Sequence, residues 1–402
     1  MTENRQLRVS VIGPGKRFLG GISYYTIHLV NALTRSYKIS VILMRRLLPA
    51  RFYPGRKRIG MNLTRLAYEP EVRVFDGIDW YWVPSMLRSL MFLKREDPHV
   101  VVFQWWSGTV LHSYLLLALM ARVLVRAKVV IEFHEVLDPA EANLPLVQAY
   151  VRFVAPLVVR QAHGFVIHSE YDRTLLQRHY NLKQRPIAVI PHGPFNHYQL
   201  AIKEQERPTA PTSCCNLLFF GLIRPYKGLD VLIRAFDALP EHESSKYWLT
   251  IVGETWEGWT VPVDLISQSR YRERITFVNR YVSDAEAAQF FVGADALILP
   301  YRRSSASGPL HTAMSFGLPV VVTRVGGLIE ALASYEGAVL VPPDDPVALQ
   351  NALLQVVNMR GRRYTDPHSW ERTIAGYHTL FDTICSPNDP VSPKSEEMSI
   401  VT

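Results

Sequence analysis

Two cations three residues apart carry the sharpest chemical signal in this 402-residue chain: Arg224 and Lys227, in the loop Gly221–Gly228 (GLIRPYKG). The loop follows the apolar run LLFFG, so a buried strand delivers both side chains at its carboxyl end. Gly228 lets the next helix start tightly. An Arg fork gives directional bonds and a Lys gives a point charge, so the pair can grip two phosphate groups together. Each charge-assisted bond contributes roughly 1.5–3 kcal/mol. The plainer alternative is a surface loop with solvated charges.

Three further stretches carry polar groups suited to the same task. In Ala296–Glu330, a short apolar strand runs into a Ser/Gly turn and then a helix, and Ser307 and Gly308 sit where free backbone N–H groups meet an anion. Near the start, GPGKRFLGG separates a strand from a helix, and Gly20 and Gly21 let backbone approach a ligand closely. The glycine spacing is not GxGxxG, and no acidic residue follows at the usual distance, so a dinucleotide fits poorly. His134 stands just past the strand Val129–Phe133, and ligands of open α/β sheets gather outside the carboxyl ends of strands. A structural histidine and an ordinary βα unit are the alternatives. Paired carboxylates, a nucleophile elbow and metal-ligand spacing are missing from the sequence. A nucleoside diphosphate held by cations and helix N-termini needs no metal.

The elements that must position these groups alternate β and α throughout. Strands are expected at Leu7–Ile12, Ile39–Leu43, Val100–Phe103, Val129–Phe133, Gly164–His168 and Ala188–Ile190, which describes one doubly wound domain. A polar, Pro-containing stretch, Lys203–Ser213, reads as a linker. A second series follows, with strands at Asn216–Phe220, Trp248–Val252, Ile275–Val278, Leu297–Leu299, Val320–Thr323 and Ala338–Val341, and a last helix at Trp370–Ile384. The expected division is residues 1–203, a linker at 204–213, a second domain at 214–368, a closing helix at 369–385 and a disordered tail at 386–402. Thr109–Val125 is very apolar, but Arg122 and Arg126 shorten it, so a helix buried in the fold is expected rather than a membrane span.

The net charge of +8 is unevenly spread. Residues 1–200 hold 26 Lys+Arg against 13 Asp+Glu, or +13, and the remainder holds 18 against 23, or −5. The first half should therefore face something anionic. Arg45–Arg65 is basic throughout and carries interleaved aromatics, and Ser85–Arg95 is an amphipathic helix with basic edges. Together they suit an acidic membrane surface, at roughly 1 kcal/mol per cation. Zinc-finger spacing and RNA-recognition signatures are lacking, so nucleic acid is excluded as a partner. Three cysteines, two of them adjacent, form no disulfide framework, and the N-terminus shows no signal peptide. A cytoplasmic protein is expected, peripheral on the cytosolic membrane face.

Several ordered pieces carry a family resemblance: the GG turn before the first helix, HSEYDR, PHG, FFGLIRPYKGLDVLIRAF, IVGE, GADALILPY and AMSFGLPVVVTRVGGLIE. With their order and spacing, from about Leu7 to Ile384, the chain resembles a retaining glycosyltransferase of the GT-B fold, family 4. The resemblance implies an α/β architecture of two Rossmann-like domains facing a cleft, the first holding acceptor and the second nucleotide sugar. It places Gly20 and Gly21 near the donor phosphates, His134 against the transferred sugar, and Arg224 with Lys227 on the diphosphate. Gly253, Glu254, Ser307, Gly308, Thr312 and Glu330 complete the expected donor-binding set. The family commonly has two glutamates eight positions apart; here those positions hold Ser304 and Thr312, and a Ser-x-Ser-Gly turn, Ser305–Gly308, marks a subgroup.

The expected activity is transfer of a sugar from a nucleoside diphosphate sugar to an acceptor hydroxyl with retention, the acceptor being a saccharide or a lipid-linked or polysaccharide precursor. Arg224, Lys227 and the Ser307 and Gly308 amides would stabilise the leaving diphosphate. No cofactor is expected. The rival readings are a sugar-nucleotide epimerase or phosphorylase on the same fold, and a non-catalytic sugar-nucleotide-binding scaffold, since both glutamates are replaced.

Overall fold

The computed structural model describes residues 6–18, 20–46, 64–79, 81–136, 145–199, 213–255 and 259–386. Most of the expected linker at 204–213, most of Arg45–Arg65 and all but the first residue of the tail at 386–402 lie outside the described residues.

Two parallel sheets organise the molecule. The first holds β1 (Arg8–Pro14), β2 (Lys38–Arg46), β3 (Arg73–Asp79), β4 (Val100–Trp105), β5 (Lys128–Phe133), β6 (Gly164–Ile167) and β7 (Ile187–Val189), in the order β3-β2-β1-β4-β5-β6-β7. The second holds β8 (Cys215–Phe220), β9 (Tyr247–Val252), β10 (Ile275–Val278), β11 (Ala296–Leu299), β12 (Val320–Thr323) and β13 (Ala338–Val341), in the order β10-β9-β8-β11-β12-β13. Each order reverses once, beside β1 and beside β8. Such reversals open a crevice at the carboxyl ends of the strands.

Both faces of the first sheet are covered, which is why its strands read as continuous apolar runs. Val9, Val11, Val100, Val102, Val130 and Val166 point to one face. That face is packed by α1 (Gly21–Leu33) and the final helix α13 (Trp370–Cys385), through Tyr25, Leu29, Tyr377, Leu380 and Phe381. Ile12, Val101, Phe103, Val129, Ile131 and Phe165 point to the other face. It is covered by α2 (Val83–Glu96), α3 (Leu111–Met120) and α4 (Pro145–Val159). Helix α13 is thus made of the last part of the chain and packs into the core of the first sheet.

The remaining helices are α5 (Glu170–His179), α6 (Leu229–Asp237), α7 (Glu241–Ser244), α8 (Val261–Gln268), α9 (Asp284–Val292), α10 (Gly308–Ser315), α11 (Leu328–Ala331) and α12 (Pro346–Val356). Caps fix several of their starts. Ser283 and Glu286 form a capping box on α9, Ser307 accepts from the Leu310 N–H on α10, and Ser169 accepts from the Asp172 N–H on α5.

The apolar stretch around Thr109–Val125 differs from expectation. Gly108–Val125 is long and apolar enough to cross a membrane by composition, and only part of it is buried. Leu111, Tyr114, Leu117 and Ala118 are fully buried against the first sheet, whereas Val123 and Leu124 are exposed. The run is a fixed part of the fold with one apolar edge facing outward.

Candidate active site: a cleft between two sheets

A cleft of about 340 Å3 opens between the carboxyl ends of the two sheets, within the size range of small-molecule sites. Gly20, Gly21, His134 and His192 contribute from the first domain. Arg224, Lys227, Gly253, Glu254, Ser307, Gly308 and Thr312 contribute from the second. Ten of the eleven candidate residues from the sequence therefore converge on one surface, and Glu330 does not line it.

Local geometry explains the cation loop. Gly228 has φ +66°, and a Cβ there would lie 1.9 Å from the Pro300 carbonyl oxygen, so only glycine lets the loop seat against β11. A single 3-10 turn, Pro225–Lys227, then turns Lys227 inward. Its Nζ stands 3.8 Å from the centroid of the Tyr301 ring, a cation–π contact. Burial lowers the Lys227 pKa from the usual lysine value. The empty protein therefore holds a partly desolvated cation at the cleft wall. Across from it, Ser307 and Gly308 at the start of α10 line the cleft, Pro309 has no N–H and the Leu310 N–H is taken by the Ser307 hydroxyl; Gly253 packs so close to the Gly221 carbonyl that a Cβ would sit 1.9 Å from that oxygen. Backbone thereby forms much of the floor.

Two candidates are committed elsewhere. The Glu330 carboxylate accepts the backbone N–H groups of Glu170 (2.6 Å) and Tyr171 (2.9 Å), capping α5 of the first domain. Its position is an interdomain clasp, not a cleft wall. The Thr312 hydroxyl donates to the Gly308 carbonyl at 3.0 Å, inside its own helix. A second clasp joins the Tyr24 hydroxyl of α1 to the Asp284 carboxylate at the start of α9, at 2.6 Å.

The His134 ring is engaged on both nitrogens. Nε2 meets the Gln104 side-chain oxygen, and Nδ1 lies 3.3 Å from His168 Nε2. The Gln104 amide nitrogen donates to Glu132, and His168 Nδ1 donates to the Ile190 carbonyl at 2.9 Å. Burial pushes Glu132 up to about 7, against the nearby Tyr25 and Tyr377 hydroxyls and the Gln104 amide, which favour the carboxylate. Burial also pulls His168 down to about 4, and it lowers His134 and His192, so these rings are neutral near pH 7. Among the described residues, His134, His168 and His192 are the group able to hold a metal ion.

Sequence reasoning did not single out His168, His192, Tyr24 or Phe195 as site residues. His192 follows β7 in PHG and lines the cleft, and Phe195 packs 3.0 Å from where a Gly308 Cβ would lie. The HSEYDR and PHG stretches were the available signals, but their convergence with His134 is a property of the strand order.

Comparison with known proteins agrees with this architecture. The chain matches the family "Glycosyltransferase Family 4" over residues 19–193 and "Glycosyl transferases group 1" over residues 214–359. It is 24% identical to a D-inositol 3-phosphate glycosyltransferase of Corynebacterium diphtheriae, covering 86% of this chain and 83% of that one. It is 22% identical to the protein of the same name from Corynebacterium glutamicum, covering 93% and 94%. Among solved structures it is similar to sucrose-phosphate synthase from Thermosynechococcus elongatus (TM-score 0.59, 16% identity, 94% and 96% coverage). It is also similar to HepE of Anabaena solved with UDP (TM-score 0.61, 16% identity, 94% and 98% coverage). Two parallel sheets facing a cleft define a GT-B protein. The chain belongs to the family 4, group 1 glycosyltransferases, and is a retaining enzyme that uses a nucleotide sugar.

Proposed function

We propose that the donor is a uridine diphosphate sugar whose diphosphate lies between Arg224, Lys227 and the start of α10, and that the acceptor enters over the first domain. The observation that carries this reading is the convergence of both cations and a helix N-terminus on one interdomain cleft. HepE solved with UDP, and a trehalose-phosphate enzyme of E. coli solved with UDP-2-fluoro glucose, support the choice of base. Ser304 and Thr312 stand where the family pattern has glutamates, so the Ser305–Gly308 turn and its amides take over sugar and ribose contacts. Leaving-group charge is met by groups already in place, and closure of the two domains excludes water. A thermal-shift panel of UDP, GDP and ADP tests the base: UDP alone should raise Tm. An equal response to all three, or none, refutes the assignment.

The acceptor is proposed to be anionic and held at a membrane surface. On α2, Val83, Leu87 and Met91 are 68%, 55% and 64% exposed and lie four residues apart, so they form one stripe. Leu146 and Phe153 of α4, on the same side of the sheet, are 87% and 74% exposed. Arg88, Lys94 and Arg95 of α2 and Arg152 of α4 lie among these residues in sequence. Arg45 and Arg46 contribute less than their sequence suggests, because both pair with Asp79. Vesicles containing acidic lipid should bind the protein in a salt-sensitive way, and Leu87→Glu with Met91→Glu should abolish binding. Equal binding to neutral vesicles would refute the surface. A second reading, a soluble phosphorylated cyclitol as acceptor, is favoured by the name of the curated relatives. Transfer to inositol phosphate without lipid would select it.

A further inference from the structure

We propose that His134, His168 and His192 form a binding site for one divalent transition-metal cation of the Zn2+ class on the first-domain side of the cleft. These residues follow or end β5, β6 and β7, three adjacent parallel strands, so the sheet itself brings the rings together. One ligand atom from each ring lies within 4.8 Å of the others.

The hydrogen bonds around the rings fix where their lone pairs point. His168 Nδ1–H donates to the Ile190 carbonyl, so His168 Nε2 carries a lone pair. His134 Nε2–H donates to the Gln104 oxygen, whose amide group is turned by its bond to Glu132, so His134 Nδ1 carries a lone pair. Those two atoms face each other at 3.3 Å. Two bare lone pairs at that separation repel. A cation bound to both removes the conflict, and 3.3 Å is close to the edge of a tetrahedron built with Zn–N bonds of about 2.0–2.1 Å. His192 is a separate observation: it is 92% buried (8% exposed), it borders the cleft, and neither of its ring nitrogens has a hydrogen-bond partner.

The surroundings have the form of an outer coordination shell. Metal-bound histidines usually give their other N–H to a carbonyl or carboxylate, as both His168 and His134 do here, the latter through an amide tied to Glu132. A Glu132 oxygen lies 3.5 Å from His168 Nε2 and would offset part of the ion's charge. Imidazole donors select Zn2+ over Mg2+ or Ca2+. Three protein ligands leave a fourth position for a ligand entering from the cleft, which His134 and His192 line.

The test uses the full chain with any affinity tag removed, purified without chelator. Elemental analysis should find about one Zn2+ per chain, the loading of a mononuclear site. After chelation, ZnCl2 should restore the lost Tm and MgCl2 should not. His168→Gln and His192→Gln should lose the Zn2+ response, and His242→Gln, at an exposed position, should keep it. Should either site variant fail to fold, the visible spectrum of the Co2+-loaded wild type decides: intense bands report tetrahedral nitrogen ligation, and weak bands overturn the site. A metal-free wild type with no Zn2+ shift, or a shift surviving in both variants, also overturns it. None of these readouts uses donor binding or turnover, so the donor assignment stands or falls separately.

Discussion

Replacing Lys227 with methionine separates two effects that most substitutions confound. In the empty protein, burial works against the ammonium, which is why its pKa lies below the usual lysine value. The contact with the Tyr301 ring at 3.8 Å returns part of that cost, about 0.5–2 kcal/mol. Methionine keeps most of the chain's volume and removes the charge. The sign follows: the charged form is less favoured folded than unfolded, so its removal should leave the empty-state Tm unchanged or higher. With UDP the balance reverses. One charge-assisted contact is lost, about 2 kcal/mol, or about 30-fold in affinity. At a UDP concentration 100 times the wild-type Kd, ligand stabilisation should fall from about 2.7 to about 0.9 kcal/mol. The assay is a pair of melting curves, with and without UDP, for each protein, followed by kcat/KM for donor. A variant that melts several degrees lower when empty yet keeps the full UDP increment would refute the reasoning, because Lys227 would then be a packing residue.

Other perturbations test the clasps and the backbone. Glu330→Gln should weaken the cap on α5 and cost about 1 kcal/mol, lowering Tm and raising donor KM while elemental metal content stays constant. Gly228→Ala places a methyl where a Cβ would be 1.9 Å from the Pro300 oxygen, at φ +66°; it should lower Tm and abolish the UDP increment together. The Arg280–Glu286 bond holds the Glu286 carboxyl down at about 2. A depressed carboxyl stabilises the fold above its unfolded value of 4.5 and loses that contribution as pH falls toward about 2. The Tm deficit of Glu286→Gln should therefore be constant from pH 8 to pH 5 and close below pH 4; a deficit unchanged at pH 3 would assign the effect to the capping box alone.

The β–α alternation was legible because strands buried on two faces are unbroken β-branched runs, as in Val320–Thr323 and in Val100–Val102 of β4. The strand β3 was not: RVFDGID carries two aspartates, an arginine and a glycine, and it tolerates them because it lies at the sheet edge. Helix α4 was missed because Pro156 interrupts its signal. The cation loop and the α10 turn were readable because their chemistry is local to a few residues. The partners of Glu330 were not legible for the opposite reason: a conspicuous acid near a glycine pair does not reveal that it reaches α5 some 160 positions away. The histidine group was hidden likewise, since His134, His168 and His192 meet only once three strands are paired.

The placement of α13 has a consequence for synthesis of the protein. While the first 369 residues are emerging, the face of the first sheet that Tyr377, Leu380 and Phe381 will cover stays open to water, although every residue of that sheet already exists. The second sheet meets no such delay, since its strands end at Val341. Maturation therefore runs against chain order, the later-made half being able to settle before the earlier one. The lag reaches the cleft, because Trp370 lies over Gly193 and its indole N–H donates to the Pro194 carbonyl at 3.1 Å, next to His192. A nascent chain stalled before Trp370 would hold every cleft residue and still lack the support under His192, so sugar transfer would begin only once α13 has docked.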